Sequence, residues 1–144
     1  LSIIISNQPA IAKGFVKQKH VEFTHSKLET MLGHSGAYID EILYCPHHPK
    51  KGFRGEIKSL KVKCECRKPR IGLIKLAEKK FNIDLKKSIF IGNSMVDYET
   101  AINAGIKPMI INNKILSKEL KQKKHFKSIY ECISSIFNKN SKKI

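Results

Sequence analysis

Residues 45–69 read CPHHPKKGFRGEIKSLKVKCECRKP. A stretch this long, with neither helical nor strand periodicity, is out of place in a compact domain unless something organises it. Its own residues supply an organiser. Cys45-Pro46-His47 opens the stretch and Cys64-Glu65-Cys66 closes it, a Cys-x-His answered by a Cys-x-Cys. Three thiolates and one imidazole complete a tetrahedral Zn2+ shell with no open position, which marks structural zinc. Because the binding energy of such a site is folding energy, metal would order the loop. His48 is the rival to His47. The one-residue spacing, mirrored by Cys64 and Cys66, favours His47. Unligated thiols and a disulfide network are the competing readings of the same cysteines. The fourth cysteine, Cys132, lies on an expected helix and reads as a small buried apolar residue.

Arg67-Lys68-Pro69 follows the last of these cysteines directly. Elsewhere an Arg-Lys pair is usually a solvated surface. Behind a metal-fixed loop the two cations are held, and they suit phosphate: arginine as a bidentate fork, lysine as a point charge.

Outward from the loop, apolar runs alternate with helical patterns. Residues 1–5 (LSIII), 39–44, 88–91 and 108–111 read as strands buried on both faces. Helices are expected at 20–33, with Val21, Leu28, Met31 and Leu32 inward and Gly33 as the stop, at 71–81, at 96–104 closed by Gly105, at 117–124 and at 128–137. This order predicts an α/β fold, a parallel sheet with helices on both faces. One domain over 1–138 and a polar, frayed tail at 139–144 are expected.

Chemistry in such sheets gathers at the C-terminal ends of strands. Ser6-Asn7-Gln8, Cys45-Pro46-His47 and Gly92-Asn93 stand at three such ends. A hydroxyl at Ser6, with free backbone amides beyond it, can hold a phosphoryl oxygen. The plainer reading is a helix-capping turn, with Asn7 as the cap. In Gly92-Asn93-Ser94-Met95-Val96-Asp97, the oxygens of Asn93 and Asp97 suit a hard cation such as Mg2+. There too the plainer reading is an N-cap.

The net charge is +16, and the excess peaks in residues 45–70, with nine basic side chains against Glu56 and Glu65. Solvated lysine-rich faces account for most of it. A positive field around an anionic substrate is the second reading. Nucleic-acid binding is disfavoured, because aromatic residues are not interleaved with the basic ones. No run approaches the roughly 18 apolar residues of a membrane span. With no export signal and free thiols, a cytoplasmic compartment is expected.

Taken together, SNQPAIAKG, YCPHHP, CECRKP and IGNSMVDYETAINAGI resemble successive motifs of the haloacid dehalogenase superfamily phosphatases. The CPHHP and CxCRKP pair singles out the heptose bisphosphate and histidinol phosphate branch, and the likeness covers roughly residues 1–112. The resemblance implies phosphoryl transfer to an aspartate, with a second Asp two residues on as acid and base, and catalytic Mg2+. It implies that Ser6 binds the transferring phosphoryl group and Lys68 stabilises its charge. Asn7, Gln8, Lys13 and Arg67 would hold substrate, and Asn93 and Asp97 would meet Mg2+. The zinc set of Cys45, His47, Cys64 and Cys66 would shape the substrate loop without entering the chemistry. The implied substrate is a sugar bisphosphate, D-glycero-D-manno-heptose 1,7-bisphosphate, in surface-polysaccharide precursor synthesis. Histidinol phosphate is the alternative, and an inactive zinc-binding remnant the second. A monomer without nucleic-acid or membrane partners is expected.

Two departures bear on this. Asn93 stands where the family usually has a carboxylate, so Mg2+ affinity should fall. No Asp occurs before Asp40, and Asp40 opens an expected strand instead of ending one. The nucleophile is therefore expected upstream of residue 1, on a central strand between those at 1–5 and 88–91. The chain is expected to be an incomplete piece, inactive alone and poorly stable without that strand.

Overall fold

The computed structural model describes residues 1–111 and 125–140. The helix expected at 117–124 and the last four residues of the expected tail lie outside them. The chain divides into two compact units, Leu1–Asn82 and Ile83–Ile144.

In the first unit β1 (Ile3–Asn7) pairs in parallel with β2 (Glu41–Cys45), in a register running from Ile3 opposite Glu41 to Asn7 opposite Cys45. Strand β1 begins two residues later than expected and continues through Asn7. Ser6 and Asn7 thus belong to the strand, where neighbours face opposite sides of the sheet. Asp40 sits just before β2, and its carboxylate accepts the Ser2 N–H at 2.6 Å. Its role is to tie the two strand starts together.

Pro9 opens the short helix α1 (Pro9–Ala12), a position where its missing N–H costs nothing. Ile11 and Ala12 are fully buried. Helix α2 runs Gln18–His34, a little longer than expected, but none of its residues is buried. Val21, His25, Leu28 and Leu32 fall at i, i+4, i+7 and i+11, a stripe too narrow for a core face. Met31 lies off that stripe and is 60% exposed, so the expected inward set of four is corrected.

Helix α3 (Gly72–Phe81) carries the core instead, burying Leu73, Ile74 and Ala77 against β1 and β2. It ends at Asn82 in the left-handed region, whose short polar side chain tolerates that conformation.

In the second unit β3 (Ile89–Gly92), β4 (Lys107–Ile111) and β5 (His125–Phe126) form a parallel sheet in that order. Helix α4 (Met95–Asn103) joins β3 to β4, and Gly105, at φ 67°, turns the chain after it. Helix α5 runs Ile129–Asn140. It extends three residues past the expected end, so residues 139–140 are helical and not tail. Met109, Phe126 and Cys132 form the core, packed by Ile89, Ile91, Ile111 and Ile136. Cys132 is fully buried with its thiol against the Met109 sulfur at 3.9 Å, the apolar role expected of it. Strand β5 was not foreseen, since two residues carry no alternation to read.

The parallel strands and flanking helices agree with the α/β expectation. Among the described residues no helix is long and apolar enough to cross a membrane.

Candidate metal centre and the turns beside it

The donor atoms of Cys45, His47, Cys64 and Cys66 all lie within 4.8 Å of one another. Cys66 Sγ is 3.0 Å from Cys45 Sγ and 3.3 Å from Cys64 Sγ, and Cys45 and Cys64 are 3.5 Å apart. His47 Nδ1 stands 3.2 Å from Cys66 Sγ and 3.6 Å from Cys45 Sγ. Ligands about 2.3 Å from a tetrahedral centre stand about 3.8 Å apart, so this set closes around a single small cation. Cys45 arrives at the end of β2 and is fully buried. Burial pushes its thiol up, and the hydrogen bond with Cys66 adds to that. At Cys64 burial also acts upward, but hydrogen bonds from Cys66 and Cys45 outweigh it and bring the thiol down. Three sulfurs this close, one of them fully buried, suit a cation that holds them as thiolates.

His48 is not in the cluster. Its Nδ1 faces the Lys50 carbonyl at 3.2 Å and its ring lies edge-on to Phe53 at 5.7 Å. The two histidines therefore divide as the spacing suggested. Burial lowers the His48 imidazole, and Lys13, Arg67 and Lys61 lower it further. Three cations thus share the neighbourhood of one imidazole.

The rest of the loop is organised by Glu56, whose Oε2 accepts the Gly52 and Phe53 N–H groups at 3.0 and 3.1 Å. The same oxygen is 3.5 Å from the buried Lys61 ammonium. The Phe53 ring lies between two ammonium groups, Lys61 at 4.6 Å and Lys13 at 4.8 Å, a double cation–π contact. Gly14, at φ +75°, lets the turn after α1 press on this loop: a Cβ there would lie 1.9 Å from the Gly55 carbonyl oxygen.

On leaving the metal cluster the chain crosses onto the end of β1. Arg67 Nη1 donates to the His47 carbonyl at 3.2 Å. Arg70 Nη1 donates to the Cys64 carbonyl at 2.7 Å. Lys68 Nζ donates to the Ile5 carbonyl at 3.0 Å, beside Ser6. Asn7 spends both ends of its amide on the Lys68 backbone: Oδ1 accepts the Lys68 N–H at 3.0 Å and Nδ2 donates to the Lys68 carbonyl at 3.2 Å. Gln8 Nε2 donates to Ser6 Oγ at 3.1 Å. The structure therefore gathers Ser6, Asn7, Gln8, Arg67 and Lys68 at one strand end, and Lys13 joins the Phe53 loop. Asn7 does not cap α1, whose N-cap is Gln8 without a side-chain bond.

In the second unit the turn after β3 has the plainer form. Ser94 is the N-cap of α4, its Oγ accepting the Asp97 N–H at 3.2 Å. Asp97 Oδ2 accepts in return from Ser94 Oγ at 2.7 Å and from the Asn93 N–H at 3.2 Å. This resembles a capping box, with the Asn93 N–H in place of that of the N-cap, and the buried Asp97 carboxylate is engaged in it. Asn93 is exposed. These two residues alone do not make a cation shell. Gly92 permits the arrangement, since a Cβ there would lie 2.3 Å from Asp97 Cβ.

Sequence reasoning missed the Glu56–Lys61–Phe53 clasp and the Asn7–Lys68 pairing, both of which depend on contacts that no local motif announces.

No family model matches the chain. It is 38% identical over 104 residues to a D-glycero-alpha-D-manno-heptose-1,7-bisphosphate 7-phosphatase of Photorhabdus laumondii, covering 72% of this chain and 55% of that one. It is 32% identical over 112 residues to a D-glycero-beta-D-manno-heptose-1,7-bisphosphate 7-phosphatase of Haemophilus ducreyi, covering 77% and 59%. The chain thus spans a little over half the length of these relatives. Its fold is similar to that of a crystallised D,D-heptose 1,7-bisphosphate phosphatase from B. bronchiseptica complexed with magnesium and phosphate. That match has a TM-score of 0.76 at 22% identity and covers 96% of this chain and 75% of the other. A HAD-like phosphatase fold from Mesorhizobium loti matches with a TM-score of 0.70 at 21% identity, over 81% and 54%.

Proposed function

We propose that this chain, a homologue of the heptose bisphosphate phosphatases with the fold of the haloacid dehalogenase-like phosphatases, forms the phosphate-holding, metal-stapled part of such an enzyme. The reading includes hydrolysis of one phosphate from D-glycero-D-manno-heptose 1,7-bisphosphate in surface-polysaccharide precursor synthesis, by a monomeric cytoplasmic protein. One observation carries it. Lys68, two residues past the metal cluster, is fastened to the end of β1, its ammonium donating to the Ile5 carbonyl next to Ser6 in the chain.

The residues divide the work as follows. Gln8 occupies a lone pair of Ser6 Oγ, so the Ser6 O–H is directed elsewhere and can donate to a phosphoryl oxygen. Lys68 offers positive charge where negative charge grows during transfer. Arg67 and Lys13, grouped around His48, suit the second phosphate of a bisphosphate. Zinc, held by Cys45, His47, Cys64 and Cys66, fixes the loop that carries Arg67 and Lys68. Mg2+, when bound, neutralises phosphoryl charge. Asn93 would meet it through an amide oxygen, while Asp97 holds the turn beneath. The nucleophile in this reading is an Asp outside residues 1–144. Its carboxylate attacks phosphorus, the bond to the sugar oxygen breaks, that oxygen takes a proton from the second Asp, and water then hydrolyses the aspartyl-phosphate.

Calorimetric titration of the zinc-loaded chain with heptose 1,7-bisphosphate, histidinol phosphate and duplex RNA tests the reading. The bisphosphate should bind at least tenfold tighter than histidinol phosphate, and Lys68→Met should abolish the difference from background. Tighter binding of histidinol phosphate would move the substrate to that compound. Salt-sensitive RNA binding without sugar phosphate binding would overturn the enzyme reading.

A further inference from the structure

Ser6, Asn7 and Gln8 are expected to offer three side chains to substrate, but two of them donate within the chain, Asn7 to Lys68 and Gln8 to Ser6. Ser6 and Asn7 are consecutive in β1, so their side chains leave opposite faces of the strand. Asn7 has its acceptor and its donor both engaged on one residue, Lys68, which is 61 positions away in the chain. That pairing copies the two bonds a neighbouring strand would make, and it grips the Lys68 backbone on both sides of its Cα. The Lys68 ammonium in turn reaches the Ile5 carbonyl on the same strand. Lys68 is thereby fixed to β1 at three points, two of them through Asn7.

The metal loop cannot supply this hold alone. Zinc would anchor Cys66, and Arg67 is braced on the His47 carbonyl, but Lys68 lies two residues past the last sulfur. A lysine side chain has many rotamers, so its ammonium is useful at one place only if its backbone is fixed. We propose that Asn7 is a positioning residue that acts through Lys68: it sets the Lys68 backbone against β1 so that the ammonium stands beside Ser6, and it does not itself contact substrate. The proposal rests on the reading that Lys68 holds the phosphoryl group.

A double-mutant cycle on the zinc-loaded chain separates this from a direct contact. Inorganic phosphate affinity is measured by calorimetry for the unaltered chain, Asn7→Leu, Lys68→Met and the pair together. Asn7→Leu keeps the shape and removes both bonds. It should weaken phosphate about tenfold, and in the Lys68→Met background it should change affinity less than twofold. Equal fold-losses in both backgrounds would show that Asn7 meets phosphate directly and would overturn the proposal. Amide hydrogen exchange supplies a second, independent readout. In Asn7→Leu the Lys68 N–H should exchange at least tenfold faster, while the amides of residues 64–66 and the zinc content stay unchanged. An unchanged Lys68 rate would overturn the proposal whether or not phosphate binds. Should Asn7→Leu lose zinc or its melting transition, Asn7→Asp keeps the acceptor for the Lys68 N–H. That variant is then expected to show a protected Lys68 amide with weakened phosphate binding, and an unprotected amide would count against the assignment. Failure of the unaltered chain to bind phosphate, with Lys68 exchange still governed by Asn7, would sink the phosphatase reading alone.

Discussion

The ends of β1 and β2 and the end of β3 hold their polar residues differently. At the end of β3 the capping bonds are local. Ser94 and Asp97 answer each other across three positions, and Asn93 donates into the same carboxylate. At the ends of β1 and β2 the contacts span 19 to 63 positions: Cys45 with Cys64, Arg67 with His47, Asn7 and Ile5 with Lys68. Helix capping accounts for those local bonds. A cluster assembled from distant segments has paid loop-closure entropy at each join, and a bound metal offsets that cost.

This contrast sets the scale of what should break each region. Replacing a metal ligand should do most. Cys64→Ser should abolish zinc retention and disorder residues 45–70, since structural zinc in small peptides is worth about 10–16 kcal/mol of folding energy. Elemental analysis together with limited proteolysis between Lys50 and Lys63 checks it. A cleaved loop with full zinc content would show that the metal does not hold the segment.

Next comes Gly14→Ala. The added methyl would meet the Gly55 carbonyl at 1.9 Å in a conformation that L-residues avoid, so a loss above about 2 kcal/mol is expected in urea unfolding. In the other unit Gly92→Ala would drive a methyl into Asp97 Cβ and should cost about 1–3 kcal/mol, with zinc content untouched. Ser94→Ala should cost only about 1 kcal/mol, the usual value of an N-cap. If Ser94→Ala also lowered phosphate affinity more than twofold, the purely local account of that turn would fail.

The smallest effect concerns pH. Hydrogen bonds from the Phe53 N–H, and then the Lys61 charge, hold the Glu56 carboxyl below its ordinary value against the opposing effect of desolvation. A depressed carboxyl contributes stability that is complete above its unfolded value and is lost as pH falls through the folded one. Protection of the Phe53 amide should therefore hold at neutral pH and fade only below the ordinary glutamate range. Glu56→Gln should remove that dependence. Fading that begins near neutrality would point to a histidine instead.

Much of this was legible in the sequence, for reasons that differ by residue. The Cys/His cluster was readable because Cys-x-His and Cys-x-Cys carry their geometry in their spacing, and the helix at 72–81 because Leu73, Ile74 and Ala77 repeat on one face. An N-cap at the turn after β3 was readable too, though it competed with a cation site written in Asn93 and Asp97. The exposure of α2 was not readable, because a narrow stripe and a core stripe differ only in what lies opposite. Nor was the engagement of Asn7, whose partner is set by where the metal loop returns. Spacing announces contacts within a segment. Contacts between segments follow from the fold that the segments make together.

The central claim is that a metal closed by three sulfurs and one ring nitrogen fixes the loop leading to Lys68. X-ray absorption at the zinc edge of the folded, purified protein tests it most directly. The account predicts one zinc per chain with three sulfurs at about 2.3 Å and one nitrogen at about 2.0–2.1 Å. Protein free of zinc, or zinc in an oxygen-rich shell, would contradict it.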